Sequence, residues 1–187
     1  MAVLVLGVAL WWAAHLFKRM LPGPRALIAE RLGDASKGVI ALMLLLSVVL
    51  MVIGYRTSDF VPVYEPPLWL RHVNNLLMFV SVVLFGMGAS KGRMRSWLRH
   101  PMLTGFIVWA VAHLLVNGDL SSLILFGGLL AWALVEIPVI NAAEPGWVRP
   151  APGPAKGDVR LLLISVAVFV VIGLIHGWIG PSPFGAP

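Results

Sequence analysis

Residues 38–55, GVIALMLLLSVVLMVIGY, contain no charged side chain. A helix rises 1.5 Å per residue, and about 17–25 apolar residues cross the hydrocarbon core of a bilayer. Five further apolar segments accompany this one, so that six runs cover residues 2–17, 38–55, 73–89, 102–117, 120–141 and 160–180. The first and fourth are short for a span and the third is marginal. Of the 187 residues, 59% are hydrophobic and 12% charged, about half the ~25% charge of soluble domains. A soluble chain of this size has no interior large enough for so much apolar side chain. The sequence therefore predicts an all-α, polytopic membrane protein, a bundle of about six transmembrane helices forming one domain over 1–187, with the lipid bilayer as its solvent. Segment 2–17 reads as a retained helix rather than a signal peptide, because Lys18 and Arg19 follow the run and no basic stretch precedes it. Without cysteine, disulfides, thiolate catalysis and iron–sulfur ligation are excluded.

The net charge of +6 sits in short loops between the apolar runs, which points to membrane topology and not to nucleic acid. Lys18, Arg19, Arg25, Arg31 and Lys37 occupy the first loop, Lys91, Arg93, Arg95 and Arg99 the third, and Arg149, Lys156 and Arg160 the fifth. The second loop has only Arg56 and Arg71, and the fourth has no cation. The positive-inside rule places the basic loops in the cytoplasm and both termini on the opposite side of the membrane. Asn117-Gly118-Asp119 forms a tight turn with Asp119 as N-cap of the next helix. Pro22, Pro24, Pro66 and Pro67 break the first two loops. Residues 144–157 read as a Pro/Gly linker and the tail 181–187 as flexible.

Five histidines remain to be explained: His15, His72, His100, His113 and His176. Helix rise puts His113 about 17 Å along its span, His176 at comparable or greater depth, and His15 near the cytoplasmic end of the first helix. A lone imidazole in a span can be satisfied by one hydrogen bond to a neighbouring helix. Three of them, with Trp11 one turn before His15 and Trp109 one turn before His113, point instead to a flat ligand. Gly105 extends the Trp109–His113 face, and Gly173 and Gly177 flank His176, so small residues would let a macrocycle approach. Haem b held by two histidines suits such a bundle interior. Topology alone pairs His113 with His176. The intramembrane carboxylate Glu136 either pairs with an arginine of the third loop or serves proton transfer. At 99–105, RHPMLTG, Arg99 and His100 stand where a helix begins at Pro101, an arrangement that suits phosphate, propionate or carboxylate groups.

The pattern Arg99-His100-Pro101, Gly105, Trp109, Ala112-His113, Asn117-Gly118, Leu120-Ser121-Ser122-Leu123 and Phe126-Gly127 resembles the NnrU family, as does the N-terminal stretch 15–56 with His15, Arg25 and Leu32-Gly33. The likeness covers most of the chain and weakens after about residue 136. These are small bacterial membrane proteins associated with nitrite and nitric oxide reductase expression and denitrification. The family is similar to the 15-cis-ζ-carotene isomerase of plants and cyanobacteria, a haem b enzyme in which redox-controlled exchange of a histidine ligand frees iron to act on a lipid-soluble polyene. By that resemblance His15 and His113 match the haem ligands, although helix rise separates them by about 13–15 Å in depth. Tilt, or a macrocycle lying in the membrane plane, reconciles the two.

Two other readings stay open. A non-enzymatic assembly or regulatory factor would bind a respiratory enzyme partner and tolerate loss of its histidines. The RHP stretch is also similar to that of isoprenylcysteine and phospholipid methyltransferases, which use S-adenosylmethionine. Against that, the tyrosine common two residues after the proline is Leu103, and the only tyrosines, Tyr55 and Tyr64, precede the motif.

Overall fold

The computed structural model describes residues 1–184; residues 185–187 of the tail expected to be flexible lie outside the described part. Seven helices are found among the described residues: α1 Ala2–Met20, α2 Pro22–Leu32, α3 Ala35–Thr57, α4 Leu70–Met87, α5 Pro101–Leu114, α6 Leu120–Ala143 and α7 Ala155–Ile179. Five of them (α1, α3, α4, α6 and α7) are long and apolar enough to cross a membrane. The fourth expected span is the short one: α5 has 14 residues, about 21 Å of helix.

Helix α2 corrects the expectation of a broken first loop. Pro22 stands at its first position, where a missing N–H removes no intrahelical bond. The prolines therefore start a helix instead of preventing one. It ends at Gly33, the only residue described with a left-handed φ, +55°. Helix α6 begins as expected on Asp119, whose Oδ1 accepts from the Ser122 amide at 3.0 Å. Its second turn, Leu123–Gly127, is wound as a π-helix, a form that inserts one extra residue into the ladder.

Contacts gather into two units. The first comprises Met1–Glu65 with Gly118–Pro145, and the second Pro66–Asn117 with Gly146–Pro187. Both invert the composition of a soluble core. Ser36, Ser47, Ser81, Ser122 and Ser165 are almost fully buried, whereas Leu42, Leu163 and Leu174 are about two-thirds exposed. In lipid, leucine gains nothing by hiding, and small residues are what bring helices close.

In the first unit α1 lies on α3. A Cβ on Gly54 would overlap the backbone of Leu4, and one on Gly7 would stand 2.7 Å from the Met51 nitrogen. The extended segment after α3 pairs by backbone with the turn before α6, Val63 N donating to Gly118 O at 2.8 Å and Leu120 N to Val61 O at 2.9 Å. Within the second unit α4 packs on α5 and α7 around Val83, Leu84, Met87 and Leu161. Ser81 Oγ donates to Gly105 O at 2.8 Å. Residues 181–184 return along α7: Phe184 lies against Gly173 and 5.7 Å from the Phe169 ring, and Asn75 Nδ2 donates to Pro183 O at 2.9 Å.

Candidate functional site

Each unit holds a histidine one turn after a tryptophan on an apolar helix, by the same device. On α1 the sequence Trp11-x-x-x-His15 puts the two side chains one turn apart, and His15 Nδ1 meets Trp11 O at 3.0 Å. On α5 Trp109-x-x-x-His113 repeats this, with Nδ1 to Trp109 O at 2.9 Å. A carbonyl oxygen only accepts, so Nδ1 carries the proton in both rings and Nε2 carries the lone pair. That tautomer is the one a metal-ligating histidine usually adopts, with its other nitrogen bonded to a carbonyl. The donor chemistry therefore fits an axial haem ligand at either position.

The surroundings differ. In the first unit His15 forms a three-ring cluster with two indoles, its ring centroid 4.2 Å from Trp11 and 4.5 Å from Trp132, while Trp11 meets Trp132 edge-on at 5.2 Å. Trp132 comes from α6. One turn further along both helices, Arg19 Nη1 donates to Glu136 Oε1 at 2.9 Å, and Nη2 reaches Glu144 Oε1 at 3.3 Å. Residues 15 and 19 on α1 thus face residues 132 and 136 on α6, rung by rung. The partner of Glu136 is Arg19, not an arginine of the third loop, because α1 runs on to Met20 and carries Arg19 on the face of His15. The Glu136 side chain is 4% exposed and that of Arg19 21%. One guanidinium thus bridges a buried and an exposed carboxylate at the end of the span. Above it, Val5, Val8, Ala9 and Trp12 of α1 with Leu123, Ile124 and Gly128 of α6 line an open apolar groove of about 550 Å³. Trp12 Nε1 donates to Gly128 O at 3.0 Å beside the π turn.

In the second unit His113 packs on Trp109 of its own helix at 4.8 Å, and Trp109 on Phe106 at 5.0 Å. Asn117 Nδ2 donates to His113 O at 2.8 Å and so holds the helix end. His176 belongs to the same unit. It is exposed on the last turn of α7, and its Nδ1 donates to Pro181 O at 2.8 Å.

The remaining expected residues play other parts. The Arg99 guanidinium lies 5.7 Å from the centre of the Trp147 ring. His100 is the N-cap residue of α5; its carbonyl accepts from the Thr104 amide and hydroxyl, both at 2.9 Å. The glycines expected to admit a macrocycle serve packing instead. Gly105 is buried, where a Cβ would stand 3.1 Å from Leu84 Cβ, and Gly173 lies beneath Phe184. The sequence reading missed Trp132 and Trp147. A signal for the first existed: Trp132 and Glu136 are four apart, as are His15 and Arg19.

Fold and site define a polytopic, helical membrane protein with a tryptophan-backed histidine inside each of its two units. The chain belongs to the NnrU family: the family's model, described as NnrU protein, matches residues 3–183. The match runs well past residue 136, where the resemblance had been expected to fade. No curated protein and no solved structure matches the chain.

Proposed function

We propose that this NnrU protein binds haem b in the bacterial inner membrane through its intramembrane histidines and carries out redox-linked, isomerase-like chemistry on a lipid-soluble polyene, in support of nitrite- and nitric-oxide-reducing enzymes. Its basic loops face the cytoplasm and both termini the periplasm. One observation carries the reading: His15 and His113 each give Nδ1–H to the carbonyl of a tryptophan four residues earlier, which leaves Nε2 as the basic nitrogen in both.

When bound, haem iron supplies a centre whose ligand affinity changes with oxidation state. The chain's own residues do the rest. The tryptophan carbonyls fix the imidazole planes. Trp11 and Trp132 pack against the His15 ring and against each other. Arg19 and Glu136 close the end of that cluster with balanced charge. The groove at Trp12 is apolar and open, which suits a lipid-soluble substrate.

The test is the visible spectrum of the detergent-purified protein, oxidised and reduced. A Soret band is expected, weakened or shifted in His113→Ala and in His15→Ala. A folded, colourless protein overturns the reading and leaves the non-enzymatic assembly factor in its place.

A further inference from the structure

The turn joining α4 to α5 is built firmly and carries cations without acids. The Met94 amide donates to Asp158 Oδ1 at 3.0 Å, Ser96 Oγ to Arg93 O at 2.8 Å, and the Gly153 amide to Gly92 O at 3.0 Å. Backbone lies directly on backbone here. A Cβ on Gly153 would overlap the Lys91 carbonyl, and one on Gly157 would stand 2.5 Å from the Gly92 nitrogen. The acid supplied to this turn, Asp158, is spent on a backbone amide. Among the described residues, Lys91, Arg93 and Arg95 stand in no ion pair with a carboxylate.

Lys91 and Arg93 are exposed and Arg95 half-buried. Two donors in this turn, Arg95 Nε and Ser90 Oγ, are buried without an acceptor. A buried donor left unbonded costs free energy, and that cost is relieved if the guanidinium turns outward to an anion. The turn lies between the last residue of one apolar helix, Met87, and the first of the next, Pro101, which is headgroup depth. Trp97, 61% exposed, stands at the same level, as interfacial indoles do.

We propose that this turn is a binding site for an anionic phospholipid, whose phosphodiester is taken by Lys91, Arg93 and Arg95 and whose glycerol and upper acyl region rests on Trp97. Membrane depth and the adjoining indole favour a lipid over a soluble anion. The site lies wholly in the second unit and stands whether or not haem is bound.

The experiment compares phosphatidylglycerol, phosphatidylcholine and inorganic phosphate on the full-length protein, by native mass spectrometry and thermal melting in detergent. Phosphatidylglycerol should bind and raise the melting temperature more than the other two. The triple variant Lys91→Gln, Arg93→Gln, Arg95→Gln should weaken phosphatidylglycerol binding about a hundredfold, roughly fivefold per cation. A control removing the same charge elsewhere (Arg25→Gln, Arg31→Gln, Lys37→Gln) should stay within about twofold of the parent. Equal binding of the two lipids, equal losses in the two triples, or equal stabilisation by inorganic phosphate each overturns the proposal. Should the triple variant not fold, acylation footprinting of the unaltered protein decides. Phosphatidylglycerol should protect Lys91 and leave Lys37 reactive, and equal reactivity of the two overturns the site.

Discussion

The two units hold a histidine by the same backbone bond and then surround it by opposite means. In the first, His15 packs against an indole of its own helix and one from α6, and a buried ion pair ties the same two helices one turn away. In the second, Phe106, Trp109 and His113 follow one another along α5, and α4 contributes Phe85, edge-on to Phe106 at 6.3 Å, and Ser81, whose hydroxyl donates to the Gly105 carbonyl. An imidazole held by tertiary contacts is fixed in place by the packing of two helices. The His15 cluster should therefore respond to substitutions on α6 that break the Arg19–Glu136 pair.

The strongest way to break this comparison is to remove Arg19. Arg19→Met leaves the Glu136 carboxylate buried without a cation. A fully buried pair broken this way loses about 3–5 kcal/mol; here about 2–3 kcal/mol is expected, because Arg19 stands at the end of the span. Glu136→Gln should lose less, since Arg19 keeps Glu144 at 3.3 Å. Equilibrium unfolding in mixed micelles measures both, and equal losses would mean that Glu136 is reached by solvent. Helix contacts come next. Gly54→Ala drives a methyl into the Leu4 backbone and should cost about 1–3 kcal/mol. Gly105→Ala meets Leu84 Cβ at 3.1 Å and Ser81 O at 3.2 Å, which a small shift relieves, while alanine favours the helix by about 1 kcal/mol. That variant should melt close to the parent. A third test is Asp119→Ala. It removes the cap of α6 and also the acceptor of Ser122 Oγ, which lies 2.5 Å from Oδ2 and 2.9 Å from the Tyr55 hydroxyl. A loss of about 1–2 kcal/mol is expected.

How much of this was legible beforehand follows from the range of each interaction. The spans were legible because hydropathy is local, and five of six expected runs became helices long enough to cross. Helix α2 was not, because its residues are mostly polar or small and its prolines read as breakers unless their position at a helix start is recognised. The Trp-x-x-x-His pairs were legible because i and i+4 share a face wherever the helix goes. That the histidine nitrogen would meet the tryptophan carbonyl follows from the same spacing. The matching spacings of His15 with Arg19 and of Trp132 with Glu136 were there to read, but their pairing was not, because nothing local says which helix face α1 will meet. The glycines were misassigned for the same reason. A glycine on a histidine's face signals close approach by something, and only the neighbouring helix reveals what: Leu84 at Gly105, Phe184 at Gly173.

The smallest effect sharpens the comparison most finely. Trp12 Nε1 donates to Gly128 O at 3.0 Å in the first unit, and Ser81 Oγ to Gly105 O at 2.8 Å in the second. Both reach a carbonyl of a neighbouring helix, and a carbonyl has two lone pairs. In a regular α-helix such an acceptor keeps its own ladder bond when the outside donor is lost. Ser81→Ala should therefore cost only about 0.6 kcal/mol, the average for interhelical hydrogen bonds in membranes. Gly128 follows directly on the π turn, where the ladder changes register by one residue. If that change leaves the carbonyl dependent on the indole, Trp12→Phe should cost about 1–2 kcal/mol instead. Amide hydrogen exchange should then quicken across residues 123–132 and stay unchanged in α5. Equal, small losses in the two variants would mean that the π turn holds itself, and that Trp12 serves mainly as the wall of the apolar groove.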